Sequence, residues 1–321
     1  MSAAGEVARV ILVSVSRVQG SVMQQLLQER NIISARGNEP GVRTALLHCS
    51  GWFVLWLEGE EMAIGKVVQR YLRDPRHAHQ RELHRSHGTA TLLEPMTVAA
   101  TQGADTPADF ARRIYRIKKD QDQSPAGPAA IWEQLSAPCG LPFDAAVRPR
   151  VAGHMALVAS DDPGSIEILR KLGERCLRRV VYQRFATGEQ HSPDVGGAYV
   201  DIGPWTGVTR VQLLSRRALA HRMVRQSLAR LQSLTLLLGS RPRAAVELAA
   251  SVAAFMEAAA LRPAIQLVTQ CPEIASRVGE LLVQGQQHAA PCAVVPVAEN
   301  RLVDYLQELL RSGPECPAQA A

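Results

Sequence analysis

Apolar positions fall in short runs separated by stretches of helical spacing, and the order of these runs divides the chain. Val10-Ile11-Leu12-Val13-Ser14-Val15-Ser16 is rich in β-branched residues and predicts a buried strand. Val22 to Glu29 reads as a helix, with Gly37, Asn38, Pro40 and Gly41 supplying the loop after it. Thr44 to Cys49 and Trp52 to Leu57 predict two strands, joined through the two-residue hairpin signal Ser50-Gly51. A helix from about Glu61 to Leu72 stops at Asp74-Pro75, and Glu82-Leu83-His84 and Thr91-Leu92-Leu93 are weaker strand candidates. The order βαββαβ, with one further strand, is that of a ferredoxin-like α+β sandwich, bounded here at residues 1–99.

Residues 100–150 are broken by Pro107, Pro125, Pro128, Pro138, Pro142 and Pro149, and read as a linker with one short helix from Ala108 to Lys119. Regular alternation returns over 151–312. Met155 to Ala159 predicts a strand and Ser165 to Leu177 a helix, after which Ala198–Ile202 and Thr209–Leu214 read as a hairpin. A helix from about Arg217 to Leu231 follows, then strands at Leu234–Leu238, Ala264–Thr269 and Ala293–Val297. Helices at Ala244–Ala260, Pro272–Val283 and Arg301–Arg311 alternate with these strands, which predicts a mostly parallel α/β sheet covered on both faces. Residues 313–321 read as a flexible tail.

A length of 321 residues suits two domains, and a hydrophobic fraction of 46% with 21% charged residues excludes a wholly disordered chain. No apolar run reaches the roughly 18–20 residues of a spanning helix, and the N-terminus lacks the signature of a signal peptide, so a cytoplasmic location is expected. Six scattered cysteines without a CxxC pair predict neither a disulfide framework nor a zinc site. The net charge of +6 allows an acidic partner, while aromatics at 4% are thin for base stacking, so nucleic acid is not expected.

Trp52-Phe53-Val54-Leu55-Trp56-Leu57-Glu58-Gly59-Glu60 and Leu72-Arg73-Asp74-Pro75-Arg76-His77 together resemble the centre of a BLUF domain, a flavin-binding blue-light sensor. Leu12 to Arg17 is similar to that family's first strand, and Gly41 to Leu47 to a later entry, so the resemblance covers about residues 8–98. It implies a tyrosine on the first strand and a glutamine on the third that exchange an electron, a proton and hydrogen bonds with flavin. Ser14 and Leu55 stand at those positions, and leucine neither donates nor accepts. The implied flavin-holding asparagine falls near Gly37 or Asn38, and Arg43 and Thr44 replace small residues of the family. The expectation is a sandwich that has lost its sensor and holds no cofactor, with FAD binding as the alternative.

The order β-α-β-β-α-β-α-β-α-β-α over about 153–312, with Leu236 to Pro242 and Ala293 to Val297, resembles a Ras-like GTPase. That resemblance implies a phosphate loop after the first strand, but the frame reads Ala159-Ser160-Asp161-Asp162-Pro163-Gly164-Ser165-Ile166. Gly164 alone survives, with Ser165 in place of the lysine and Ile166 in place of the magnesium ligand. Ser215-Arg216-Arg217-Ala218 and Thr269-Gln270-Cys271-Pro272 replace two further nucleotide motifs, and Val297-Ala298-Glu299 a third, so neither GTP binding nor hydrolysis is expected.

His77, His79, His84 and His87 lie within eleven residues and read as a solvated loop rather than a metal site. Arg216, Arg217, Arg222, Arg225 and Arg230 make the stretch 216–230 basic, a solvated face or a docking surface for an acidic protein. Trp52 and Trp56 share one strand face, as core or interface. No nucleophile–base arrangement has a local signature. These readings predict a non-enzymatic bacterial signalling scaffold acting through protein contacts. The alternatives are a flavin-binding blue-light sensor and a regulatory GTPase with atypical motifs.

Overall fold

The structure is a computed structural model that describes residues 6–36, 39–92, 94–103, 105–136, 151–159, 165–187, 195–203, 208–228, 231–284, 292–296 and 301–312. Two compact units emerge, one of residues 1–141 with 181–195 and the other of 142–180 with 196–321. No described helix is long and apolar enough to cross a membrane.

The first unit holds β1 (Val7–Ser16), α1 (Val22–Arg36), β2 (Arg43–Cys49), β3 (Trp52–Gly59), α2 (Glu61–Leu72), β4 (His77–Gly88), β5 (Met96–Gln102), α3 (Pro107–Gln123) and α4 (Pro128–Ser136). A later strand, β7 (Val181–Thr187), joins them, and the sheet order is β7-β5-β2-β3-β1-β4. β1 runs antiparallel to both β3 and β4, β2 is antiparallel to β3 and parallel to β5, and β5 is antiparallel to β7. The β2–β3 hairpin turns on Ser50 at φ 50° and Gly51 at φ 77°, the pair of positive angles that matches strand twist.

Because side chains alternate across a strand, Val10, Leu12, Leu46, Leu55, Leu57 and Val98 share one face, where Leu26 of α1 and Ile64 of α2 close over them. The opposite face carries Trp52 and Trp56. Trp52 lies 6.1 Å from the Phe110 ring of α3 and donates its indole N–H to the Pro107 carbonyl at 3.0 Å. Trp56 packs 5.8 Å from Trp132 of α4 and is 1% exposed. Trp56 is therefore core, while Trp52 is half-buried against α3. Of the prolines that break up 100–150, Pro107 takes the first helical position of α3 inside the Thr106–Asp109 capping box and Pro128 begins α4, while Pro138, Pro142 and Pro149 lie outside the described residues.

The second unit contains β6 (Val151–Ala159), α5 (Ser165–Arg175), β8 (Val195–Ile202), β9 (Val208–Ser215), a 3-10 turn (Arg216–Ala220) and α6 (Arg222–Ser227). β10 (Ser233–Leu237), α7 (Pro242–Ala259), β11 (Ala264–Val268), α8 (Pro272–Gln284), β12 (Cys292–Val295) and α9 (Leu302–Ser312) complete it. Its strands run β12-β11-β10-β6-β9-β8, parallel throughout except for the antiparallel β8–β9 hairpin. Leu157, Val211 and Leu213 meet Leu169 of α5 and Leu306 of α9 in one core.

Three local expectations change. The long helix expected from Arg217 is a 3-10 turn followed by the six-residue α6, separated at His221, whose extended backbone breaks the ladder. The strand expected at Thr91–Leu93 forms instead at Met96–Gln102, where β2 supplies a parallel partner. β7 was not anticipated. It lies within the stretch assigned to the second domain, yet its ladder is with β5, Val98 opposite Ala186.

Candidate functional site

Ser14 sits near the end of β1 with 0% exposure. Its Oγ is 2.7 Å from the Tyr71 hydroxyl, in the last turn of α2, and 2.9 Å from His77 Nδ1, the first residue of β4. The rings of Tyr71 and His77 are 4.3 Å apart, His77 and Phe53 4.7 Å, and Phe53 and His48 5.0 Å. A line of four rings thus runs across the side of the sheet that α1 and α2 cover. Burial holds His77 neutral, its pKa lowered to about 4, and pushes the Tyr71 phenol above its ordinary value. Arg76 pairs with both Asp74 and Glu29, and its hydrogen bond keeps the Asp74 carboxyl below the usual range.

Leu55 belongs to the neighbouring cross-strand row, Leu12–Leu55–Leu46–Val98. It is 5% exposed and surrounded by the apolar cluster that α1 and α2 close. Gly37 and Asn38 lie outside the described residues, while Thr44 is buried on β2 and the Arg43 guanidinium donates to the Leu92 carbonyl at 2.6 Å. Glu58, missed at the sequence level as a functional position, is 1% exposed and accepts the Thr91 and Leu92 amides at 2.6 and 2.7 Å. It fixes the segment between β4 and β5.

In the second unit Ala159 ends β6, Ser165 opens α5 and Ile166 is 37% exposed, while Gly164 lies outside the described residues. Arg216 pairs with Glu247 at 2.6 Å, Arg225 donates to the Leu219 carbonyl at 2.9 Å, and Arg217 is exposed. Arg216 and Arg225 are thus each engaged within the protein, while Arg217 faces solvent. Arg230 and the side chain of Arg222 lie outside the described residues. His77 and His84 are used in hydrogen bonds to Ser14 and Ser86, and among the described residues no cluster of metal-ligating side chains forms.

Residues 7–92 match the family model "BLUF: Sensors of blue-light using FAD", so the first unit carries a BLUF domain of ferredoxin-like type. No curated protein matches the chain. Among solved structures, BlrB, a BLUF protein in its dark state, is 17% identical, with 41% of this chain and 97% of that chain covered and a TM-score of 0.29. A bacterial light-regulated adenylyl cyclase is 12% identical over 70% of this chain and 84% of its own, with a TM-score of 0.28. Klebsiella pneumoniae BlrP1 in a manganese/cyclic-diGMP complex is 14% identical over 90% and 74%, with a TM-score of 0.26.

The family match corrects one expectation outright. A chain expected to hold no cofactor has a domain whose family is defined by its use of FAD. The donor set narrows what that flavin could do. Leu55 presents only hydrocarbon, and the Ser14 hydroxyl is already bonded on two sides, so these two positions do not fit a hydrogen-bond switch at the flavin edge. No photochemical step follows from them.

Proposed function

We propose that this chain is a BLUF-type signalling protein whose first unit is an FAD-family regulatory domain and whose second unit delivers the output by protein contact, without an enzymatic step. The observation that carries the reading is the BLUF match over residues 7–92 together with the side chains at its two reacting positions, Ser14 and Leu55. A regulatory domain that keeps its packed sheet and helices keeps surfaces for partners even where its switch residues have changed.

For the second unit, the strand order β12-β11-β10-β6-β9-β8, with one antiparallel hairpin, supports a Ras-like reading. Ser165 and Ile166, where a lysine and a magnesium ligand would be needed, support the loss of nucleotide chemistry. The partner proposed is an acidic protein that docks on the arginine-bearing segment 216–230, where Arg217 is exposed. The chain would act in the cytoplasm.

Flavin analysis of the natively purified full chain, followed by spectra in darkness and under blue light, tests the reading. The expected result is FAD in the extract with superimposable spectra, no heat on titration with magnesium–GTP, and partner capture weakened by R217E. A reversible light-induced spectral change, a flavin-free protein, or GTP turnover would each overturn the corresponding part.

A further inference from the structure

Between Asp201 and Glu247 the chain carries eight arginines, no lysine and no acidic residue. The carboxylates at the two ends of this stretch are both taken by its own arginines. Arg210 holds Asp201 through Nε and Nη2 at 2.8 and 2.9 Å, while Glu247 accepts from Arg216 at 2.6 Å and from Arg243 at 3.2 Å. All of these residues belong to the second unit. Charge this one-sided repels itself, and two carboxylates do not offset eight guanidinium groups.

The fold gathers part of that charge on one face. The 3-10 turn Arg216–Ala220 buries Ala218 and Leu219 and packs against α7. Arg216 from the turn and Arg243 from α7 meet on the two oxygens of Glu247, so the turn and the helix present their cations together. Arg217 follows Arg216 in the turn, and Arg241 stands two residues before Arg243. Arg217, Arg241 and Arg243 are exposed, the last at 93% of its side chain. Arg243 uses only Nε on Glu247, which leaves both of its terminal nitrogens without a protein partner. Among the described residues, Arg217 and Arg241 have neither an ion pair nor a side-chain hydrogen bond. Side-chain cations from two elements, rather than backbone amides, make this face.

The chemistry of these groups selects the partner. A guanidinium fork matches the two oxygens of a carboxylate, and carboxylates are what Arg210, Arg216 and Arg243 take within the protein. From Thr206 to Glu247 there is no phenylalanine, tyrosine or tryptophan, so nucleobases find no stacking platform. A carboxylate-bearing protein segment therefore fits the face better than a nucleic acid. Glu247, 42% exposed at its side chain, already sits between two of the arginines and competes with any incoming carboxylate.

We propose that an acidic protein segment docks across Arg217, Arg241 and Arg243, on a face shared by the 3-10 turn and the start of α7, with Glu247 as a built-in competitor. This rests on the acidic-partner reading above and extends its contact surface from the linear stretch 216–230 to α7.

Fluorescence anisotropy on the full chain at low salt tests the face with a labelled peptide of five Glu-Ser-Gly repeats. The comparison probes are the same peptide with glutamine for glutamate and a labelled DNA duplex. The expected result is salt-sensitive preference for the glutamate peptide, weakened about tenfold or more by R241E/R243E, less steeply by R241Q/R243Q, and tightened about twofold or more by E247Q. R262E/R277E makes the same change of net charge on exposed arginines elsewhere in the second unit, and leaves the affinity within about twofold. No binding of the glutamate peptide, equal binding of the glutamine peptide, or tighter binding of the duplex would overturn the proposal. So would parent affinity in R241Q/R243Q, no tightening in E247Q, or an equal loss in R262E/R277E. A loss in R217E with parent affinity in R241E/R243E would overturn this face and leave the acidic-partner reading standing, whereas parent affinity in every variant overturns both.

Discussion

The Ser14 hydroxyl and the Tyr71 hydroxyl are 2.7 Å apart, joining β1 to the last turn of α2 across a separation of 57 residues. Ser14 also reaches His77, so one small side chain serves two buried partners from two other elements. Ser14→Ala therefore removes the hydrogen-bond partner of the Tyr71 hydroxyl and of His77 Nδ1. The expected loss is about 1–3 kcal/mol, the usual result of stranding buried polar groups, against about 1 kcal/mol for Tyr71→Phe. Urea unfolding of the first unit checks it; a loss in Ser14→Ala no larger than in Tyr71→Phe would contradict the two-partner account.

Leu55 offers the opposite case. Leu55→Gln would place an amide in the row Leu12–Leu55–Leu46–Val98, where every neighbour is hydrocarbon. Restoring the family's residue type is thus expected to destabilise the first unit by about 1–3 kcal/mol in denaturant titration, despite its chemical familiarity. A variant as stable as the parent would show a polar partner that the apolar row does not supply.

Three histidines shielded to different degrees set a pH dependence. Burial lowers His48, His77 and His154 from 6.5 to about 4, with the charges of Asp74, Arg76 and Glu29 adding to the balance at His77 and those of Arg210 and Asp201 at His154. The unfolded chain takes up these protons first as the pH falls. Stability is therefore full above pH 6.5, declines down to about pH 4, and stops declining from this cause below that. Denaturation midpoints across the range should reveal it, and His77→Asn should shrink the slope by about one proton.

Arg113 is 8% exposed, pairs with Asp105 and donates to the Leu135 carbonyl at 2.8 Å, tying α3 to the end of α4. Arg113→Ala leaves a buried carboxylate unmatched, and a loss of about 3–5 kcal/mol is expected. The exposed Arg243–Glu247 pair on α7 is the contrast: Arg243→Ala should change stability by less than about 1 kcal/mol. Equal effects in thermal unfolding would refute the distinction.

Much of the architecture was legible because it is local. The Ser50-Gly51 turn, the alternation along β1 and β3, and the strand–helix order of residues 151–312 follow from backbone preference and side-chain period within a few residues. The change at Leu55 was also legible, because the absence of a polar group is a property of the residue itself. The basic stretch 216–230 was legible as charge but its pairing was not, since charge in a line says nothing of Glu247, 31 residues from Arg216, which binds that arginine while Arg217 stays exposed.

From the chain alone came most of the strands and helices, though not β7 or α4, and that Ser14 and Leu55 cannot perform tyrosine–glutamine chemistry. Tertiary structure alone decided that Ser14 would meet Tyr71 and His77, that α3 and α4 would cover the two tryptophans, and that β7 would find β5, far from it in the chain, as an antiparallel partner. The reason is physical. Helical hydrogen bonds, tight turns and the side-chain period are set by neighbours in sequence, whereas the choice of strand and packing partner depends on which distant surface buries the same face at least cost, and only the assembled fold presents that choice.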